Sequence, residues 1–515
     1  MAPLTSRLVL ASATITEITS SSGIVKMVGY GTPDKPIRIG EVNYDGDVDR
    51  FPCIVLSGSP RQRGLVYGLL LGDKIKANVA RHLGHPFFPS WDFCLHLIQR
   101  FYIPGMKKYW PNGFEELEGV ALGSGVYLEH LMLLNARDDL TVGRHVLAEG
   151  MGESTSAFFS QLVTADYVPL LAHSWTSAQY NHDLGLIVCL EIQFTPDEEL
   201  PSIFMVTEAG MISGCGINAH GVAVAGNRLI SSDDCIPRRR PAFPVACLDR
   251  LILERPGDKI DPGELQYTIF DEIDRYASRH LLIANKRGDA LSIELGVELG
   301  YIYRGKLGSK AKIHTNHFQS FEAFQCRREI WDVSRGRSSQ FRLARLTDLV
   351  EKHGSARLSM QQIVDAFSDH DGGPESICQH GGDKRDNMTI GLVMLDTNRL
   401  VISVCKGPPC QGTFTHFTFR RDGNSCPEGD EEMSGSRKQL GDATDKKTRC
   451  SPQLRETSST KRKSSTSSSF PLAIPDGRER SAAMEKQEMV DCGGARKKIR
   501  IQLGNPIDDA SQKQD

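Results

Sequence analysis

The feature that most constrains this chain is a change of hydrophobic periodicity near Gly150. Before it, Leu65, Val66, Leu69, Leu70, Ile75 and Val79 recur at helical spacing between Arg61 and His82, and Trp91–Tyr102 and Phe114–Ala121 read the same way. After it come short apolar runs bounded by turn residues and rich in β-branched or aromatic side chains: Ala157–Val163, Val168–Ala172, Leu186–Phe194, Ile203–Val206 and Gly221–Ala225. Helical patterns return at Ala246–Leu253, Leu265–Tyr276, Gln340–Lys352 and Met360–Ser368. Further strands are predicted at His280–Ala284, Ala290–Leu295, Tyr301–Tyr303, Met388–Leu395 and Leu400–Cys405. Runs of strands mixed with runs of helices, without regular βαβ alternation, predict an α+β fold with a largely antiparallel sheet.

The 515 residues allow two or three domains, and 39% hydrophobic residues can build a large core. The expected division is a polar N-terminal extension over 1–50, a mainly helical segment over 51–153, a strand-rich portion over 154–420 and a tail over 421–515. The tail carries a Ser/Thr-rich stretch from Thr457 to Ser469 and basic runs at Lys461-Arg462-Lys463 and Arg496-Lys497-Lys498. With few aromatics and many charges it is expected to be disordered, and its basic runs leave a nuclear-import role open. A net charge of −3 argues against a nucleic-acid binder as a whole. No apolar run approaches the roughly 20 residues of a membrane span. The 13 scattered cysteines suit reduced thiols, and no secretory-signal pattern is evident, so a cytoplasmic location is expected. The closing Lys513-Gln514-Asp515 is not a peroxisomal address.

Several chemistries have no support. The chain has no phosphate-binding G-x-x-x-x-G-K-[ST] loop, no G-x-S-x-G elbow and no C-x-x-C pair. His314 and His317 lie three apart with no third ligand nearby, so an orienting role is expected of them and no metal site. Gly152-Glu153-Ser154-Thr155-Ser156-Ala157-Phe158 sits where helical sequence gives way to strands. A hydroxyl residue at the start of a core strand suits an N-terminal nucleophile, freed when the chain cuts itself at Glu153–Ser154. Its own α-amine, with an intrinsic pKa near 8, would then take the side-chain proton. The same heptapeptide also reads as an ordinary strand start.

A set of further motifs occurs in one order. Leu56-Ser57-Gly58-Ser59-Pro60 with Gly64 and Tyr67-Gly68 is followed by Leu133-Leu134-Asn135-Ala136-Arg137 and Ser154-Thr155-Ser156. Thr207-Glu208-Ala209-Gly210, Gly216-Ile217-Asn218 and Gly221-Val222-Ala223 come next, then His314-Thr315-Asn316-His317. Ser339-x-x-Arg342-x-x-Arg345, Ser376-Ile377-Cys378 and Gly407-Pro408-Pro409 close the series. Over roughly residues 52–410 this series resembles the isopenicillin N acyltransferase (acyl-CoA:6-aminopenicillanate acyltransferase) family of N-terminal nucleophile hydrolases.

The resemblance implies an αββα sandwich in which 51–153 corresponds to the family's small subunit and 154–420 to its large one. It implies Ser154 as nucleophile and Asn316 as a side-chain donor to the oxyanion. Asn227 is a second candidate donor, Trp175 a support, and Ser339 and Arg342 bind substrate or orient the catalytic strands. No cofactor is implied beyond acyl-CoA as co-substrate; the partners are a small amide, amine or acyl-CoA, in a fungal secondary-metabolism setting by family analogy. Oligomeric state is left open. Three positions depart from the family: Ser154 replaces the usual Cys, Glu153 replaces Gly before it, and Ser174-Trp175-Thr176 replaces N-W-D. These departures keep a second reading open, an uncleaved, non-catalytic relative that binds or scaffolds.

Overall fold

The computed structural model describes residues 14–20, 23–30, 37–44, 50–86, 88–141, 153–265, 269–297, 300–303, 309–320, 337–382, 387–418 and 501–502. The expected tail, apart from 501–502, lies outside them. All the described residues fall in one unit, Met1–Asn424 with Cys492–Asp515; the other unit, Ser425–Asp491, lies outside them.

The strands, numbered along the chain, form two sheets. The large sheet runs in spatial order β1 (Thr14–Ser20), β2 (Gly23–Tyr30), β3 (Ile37–Tyr44), β4 (Cys53–Ser57), β7 (Ile187–Gln193), β8 (Ile203–Glu208), β9 (Cys215–Asn218), β10 (Ala223–Arg228), β11 (Arg279–Ala284), β12 (Ala290–Leu295), β13 (Gly300–Tyr303) and β18 (Ile501–Gln502). The small sheet runs β14 (Ala311–His314), β5 (Glu153–Phe159), β6 (Leu170–Ala178), β15 (Asn387–Asp396), β16 (Val401–Lys406) and β17 (Phe414–Thr418). Pairing is antiparallel, as expected, except for β4 with β7 and β13 with β18.

Alternation along the strands sorts the apolar residues into layers. Phe158, Leu171, Ile390 and Val404 of the small sheet pack against Cys189, Val206, Ala225 and Leu282 of the large one. On the far side of the large sheet, Ile54, Leu190, Val224 and Leu281 meet helical Val66, Tyr67, Ile75, Leu117 and Leu131. On the far side of the small sheet, Ala157, Phe159, Leu392 and Met394 meet Leu346, Leu349, Ile363 and Phe367 from helices Arg337–Glu351 and Met360–Phe367. The result is helix, sheet, sheet, helix. Covering both faces explains why every residue of β15 is buried and why its sequence is almost continuously apolar.

The helical layer is built on a close pair, Pro60–His82 and Pro111–Ser124. A Cβ at Gly64 would lie 1.8 Å from the Glu116 carbonyl oxygen, and one at Gly123 2.2 Å from that of Leu65, so only glycine allows this approach. Buried Arg63 binds Glu116 at 3.2 Å and Glu198 at 2.8 and 3.0 Å across the same layer.

Some elements differ from expectation. The predicted helix Trp91–Tyr102 is split: an α-helix over Trp91–Leu97, a wider π-turn over Ile98–Tyr102, then α-helix again over Ile103–Tyr109. Helix was predicted to Tyr276, but residues 271–273 are turn and bend and 274–276 are irregular. There Arg275 is buried and donates to the carbonyls of Phe270 and Gly296, a tertiary anchor that helical spacing does not register. β5 starts at Glu153, ahead of the expected Ala157, so Ser154 is inside a strand. Cys235 is disulfide-bonded where only thiols were expected. No helix among the described residues is long and apolar enough to cross a membrane.

Candidate active site

Ser154 pairs with Trp175 across β5 and β6 and is almost fully buried. It lines a cavity of about 200 Å3 together with Trp175, His173, Arg228, His82 and Tyr180. Such a space can take a small acyl group or ring.

Four chain segments meet at Ser154. Its backbone N–H donates to Asn316 Oδ1 at 2.9 Å, and Asn316 Nδ2 donates to the Arg228 carbonyl at 3.1 Å. The acceptor end of Asn316 therefore faces Ser154, whereas the family resemblance led us to expect the donor end. Ser339 Oγ accepts from the Asn316 N–H at 2.8 Å and lies 2.8 Å from His317 Nδ1, so it fixes the 314–317 turn. Arg342 is buried and reaches the Ser154 carbonyl (2.8 Å), Thr155 Oγ1 (2.9 Å) and Asn316 Oδ1 (3.0 Å). Arg342 thus clamps the start of β5 to Asn316.

Glu153, the residue before the expected cut, is docked as well. Its Oε2 accepts from Ser338 Oγ at 2.9 Å and Gln379 Nε2 at 2.8 Å, with Arg342 Nε at 3.8 Å. Burial lowers the Arg342 pKa, only partly offset by the Glu153 charge. A side chain at this position is therefore accommodated, and its backbone pairs with Thr176 in the ladder.

Asn227 lies on β10 facing Ser156, two residues along the same face of β5 from Ser154. Its Oδ1 accepts from Ser156 Oγ at 2.8 Å and lies 2.9 Å from His280 Nδ1. Its Nδ2 is buried with no hydrogen-bond partner among the described residues. A buried amide donor without an acceptor typically costs about 1–3 kcal/mol. His280 stacks on His314 with centroids 3.4 Å apart, and His314 Nε2 lies 2.8 Å from Glu294 Oε1. Burial alone would raise the Glu294 pKa; hydrogen bonds from His314 and Ser320 hold it below the ordinary value.

Several site residues were not legible in the sequence. His173 stands beside the noted Ser174-Trp175-Thr176, lines the cavity and lies 2.8 Å from Ser156 Oγ. Burial, then the Arg279 charge, pushes its pKa down to about 3, so it is a neutral imidazole. Arg279 lies against the cavity and binds Asp249 through two contacts of 2.9 and 2.6 Å. Arg137 makes a matching pair with Glu208 at 2.5 and 2.8 Å. The walls thus carry Arg137 and Arg279, each paired with a carboxylate.

Residues 176–411 match the family described as acyl-coenzyme A:6-aminopenicillanic acid acyl-transferase. The matched stretch contains Asn227, Asn316, Ser339 and Arg342; Ser154 and Trp175 precede it. The chain is similar to the 40 kDa form of acyl-coenzyme A:6-aminopenicillanic-acid-acyltransferase from Emericella nidulans, 26% identical over 217 residues. That alignment covers 41% of this chain and 53% of the relative, so the chain spans about half the length of the curated relative it matches. The family resemblance read from the motifs is borne out. Among solved structures, a C2A mutant of conjugated bile acid hydrolase from Clostridium perfringens aligns at 8% identity over 52% of this chain and 97% of that one, TM-score 0.34. Penicillin V acylase from Agrobacterium tumefaciens aligns at 12% identity over 51% and 86%, TM-score 0.30.

Proposed function

We propose that this relative of the acyl-CoA:6-aminopenicillanic acid acyltransferases makes or breaks an amide, with Ser154 as an N-terminal nucleophile. The observation that carries the reading is the 2.9 Å contact of the Ser154 nitrogen with Asn316 Oδ1, braced by Arg342, at the wall of a small cavity. In the uncut chain that nitrogen is an amide. Attack of Ser154 Oγ on the Glu153 carbonyl carbon, followed by hydrolysis of the resulting ester, would turn it into a free amine. Asn316 Oδ1 would then hold one amine proton and orient the lone pair, which takes the proton from Oγ.

In turnover, Oγ attacks the acyl carbonyl of a thioester or amide, and the thiol or amine departs with the proton returned by the α-amine. Water or an amine acceptor then releases the acyl group. Asn227 Nδ2, buried and without an acceptor among the described residues, is the donor we assign to the oxyanion, a contribution typically worth a few kcal/mol of barrier. Trp175, across the ladder from Ser154, walls the acyl site. Acyl-CoA would bind with its acyl end in the cavity and its nucleotide outside. The family analogy points to fungal secondary metabolism as the setting.

A second reading, an uncleaved binding protein, is favoured by one observation. The Glu153 backbone is paired in the ladder and its carboxylate is held by Ser338 and Gln379, so the bond to be cut lies in regular strand. The intact mass of purified protein separates the two. Self-cutting gives pieces of 153 and 515 − 153 = 362 residues, the longer beginning at Ser154. Ser154→Cys should keep or raise thioester consumption, since a thiol is the better nucleophile near neutral pH, and Ser154→Ala should abolish cutting and turnover. If Ser154→Ala behaves like the parent in both assays, Ser154 is a strand residue and the second reading stands.

A further inference from the structure

At the opposite end of β15 from its tight turn to β16, two loops bring four soft ligands together. His370 Nε2, Cys378 Sγ, His380 Nε2 and Cys410 Sγ all lie within 4.8 Å of one another. The distances are 3.1 Å between the two ring nitrogens, 3.3 Å from His380 to Cys410, 3.9 Å from His380 to Cys378 and 3.6 Å between the sulfurs. We infer that His370, Cys378, His380 and Cys410 form a tetrahedral Zn2+ site.

The geometry carries this. Zinc with two sulfur ligands at about 2.3 Å and two nitrogen ligands at about 2.0–2.1 Å requires tetrahedron edges of roughly 3.3–3.8 Å. Four of the six edges fall within about 0.3 Å of that range, and the two from His370 to the sulfurs lie within 4.8 Å, so a small rotation of the exposed His370 ring completes the sphere. Both cysteines are free thiols, and their sulfurs are far beyond the about 2.05 Å of a disulfide. Two imidazoles meeting through their Nε2 atoms are ordinary when a cation sits between the lone pairs. No C-x-x-C spacing advertises the cluster, because its ligands are spread from 370 to 410 and converge only through the fold.

Four protein ligands close the coordination sphere, which marks a structural site and leaves no position for substrate. Binding displaces the two thiol protons to solvent, leaving thiolates on the metal. The consequence is positional. Cys378 and His380 flank Gln379, whose side chain donates to Glu153 Oε2 and whose backbone N–H and carbonyl both bond Thr389. The ion therefore ties the 369–380 loop to the turn at 407–412 and holds Gln379 against the residue before Ser154.

The test is metal analysis of the purified full-length chain, kept reduced and freed of loose ions by dialysis. About one zinc per chain is expected. Cys378→Ser/Cys410→Ser, which removes two of the four ligands, should lower the zinc affinity at least about tenfold, the scale that loss of even an outer-shell partner brings, and with it the bound zinc. Co2+ added to chelator-stripped parent should give the visible bands of a tetrahedral ion and a thiolate-to-cobalt charge-transfer band. His370→Ala, a change at an exposed side chain, keeps the question decidable if the double variant does not fold: it should weaken the cobalt spectrum while circular dichroism stays parental. Hydrogen exchange should rise at 369–381 and 407–412 when zinc is removed. A parent without stoichiometric zinc and without a cobalt spectrum overturns the site. So does zinc retained by the double variant, or a Cys378–Cys410 disulfide found in the untreated protein.

Discussion

Arg342→Met tests whether the clamp on the start of β5 organises the site. Methionine nearly preserves the volume but removes donors to the Ser154 carbonyl, Thr155 Oγ1, Asn316 Oδ1 and, at 3.2 Å, the donor contact to Ser338 Oγ. Asn316 Oδ1 keeps the Ser154 N–H, so the loss is partial there. Taking one partner out of a buried charged cluster typically costs 3–5 kcal/mol. The Arg342 charge is itself incompletely compensated, its nearest carboxylate among the described residues being 3.8 Å away, so the low end applies, about 3 kcal/mol. For a chain of this size that is a fall in Tm of roughly 3–4 °C. Turnover should fall further than stability predicts, on the order of 100-fold, because Asn316 and Ser154 lose their common brace. Arg342→Lys, which keeps the charge but not the fork, should recover much of the Tm and little of the kcat. Scanning fluorimetry and thioester turnover on the same preparations check both numbers. A parent-like Tm and kcat in Arg342→Met would refute the bracing role outright.

Acid should destabilise the protein. Burial, aided by nearby charges, lowers His82 to about 4, His173 to about 3 and His317 to about 4. Unfolded histidines titrate near 6.5, so as pH falls below that the unfolded state takes up protons the folded state refuses. Stability is then lost by up to roughly 1.4 kcal/mol per pH unit per histidine, levelling off below the folded values. Urea unfolding at about pH 7, 6 and 5 should show this slope, and His173→Gln should flatten it. Gly64→Ala forces a Cβ into the Glu116 carbonyl and should cost about 3 kcal/mol or more, read as a drop in Tm or loss of soluble protein. Gly226→Ala would strike Arg279 Nη2 at 2.1 Å and Asp249 Oδ2 at 2.7 Å, and should impair turnover more than Tm because that pair walls the cavity.

Periodicity located most helices and strands because both sheets are covered on both faces, which turns strands such as β15 into unbroken apolar runs. It missed β1 and β2, inside what read as a polar extension, and β9, β14 and β17, which are short and take their order from neighbours rather than from their own pattern. The parallel joint of β4 with β7 brings together residues more than a hundred positions apart and leaves no local trace. At the site, Ser154, Asn316, Ser339 and Arg342 were found by motif order and do meet. The roles within the group were not legible, since which end of the Asn316 amide faces Ser154 is decided by the Arg228 carbonyl and the Arg342 fork. His173, Gln379 and the His370–Cys410 ligands escaped because each acts through partners that only folding supplies.

The place of β4 bears on what a cut before Ser154 would do to the molecule. That strand is wedged between β3 and β7, with the first residues of the chain on one side and the longer piece on the other. Severing one peptide bond would leave an obligate complementation pair, the shorter chain lending an interior strand and a helical roof to the longer. Before the cut, refolding is a first-order event whose rate ignores concentration. After it, recovery from denaturant becomes a second-order encounter between two chains, slower at each dilution. Processing would thus act as a ratchet: the product persists once assembled, while its separated halves regain the native state only as fast as they find each other.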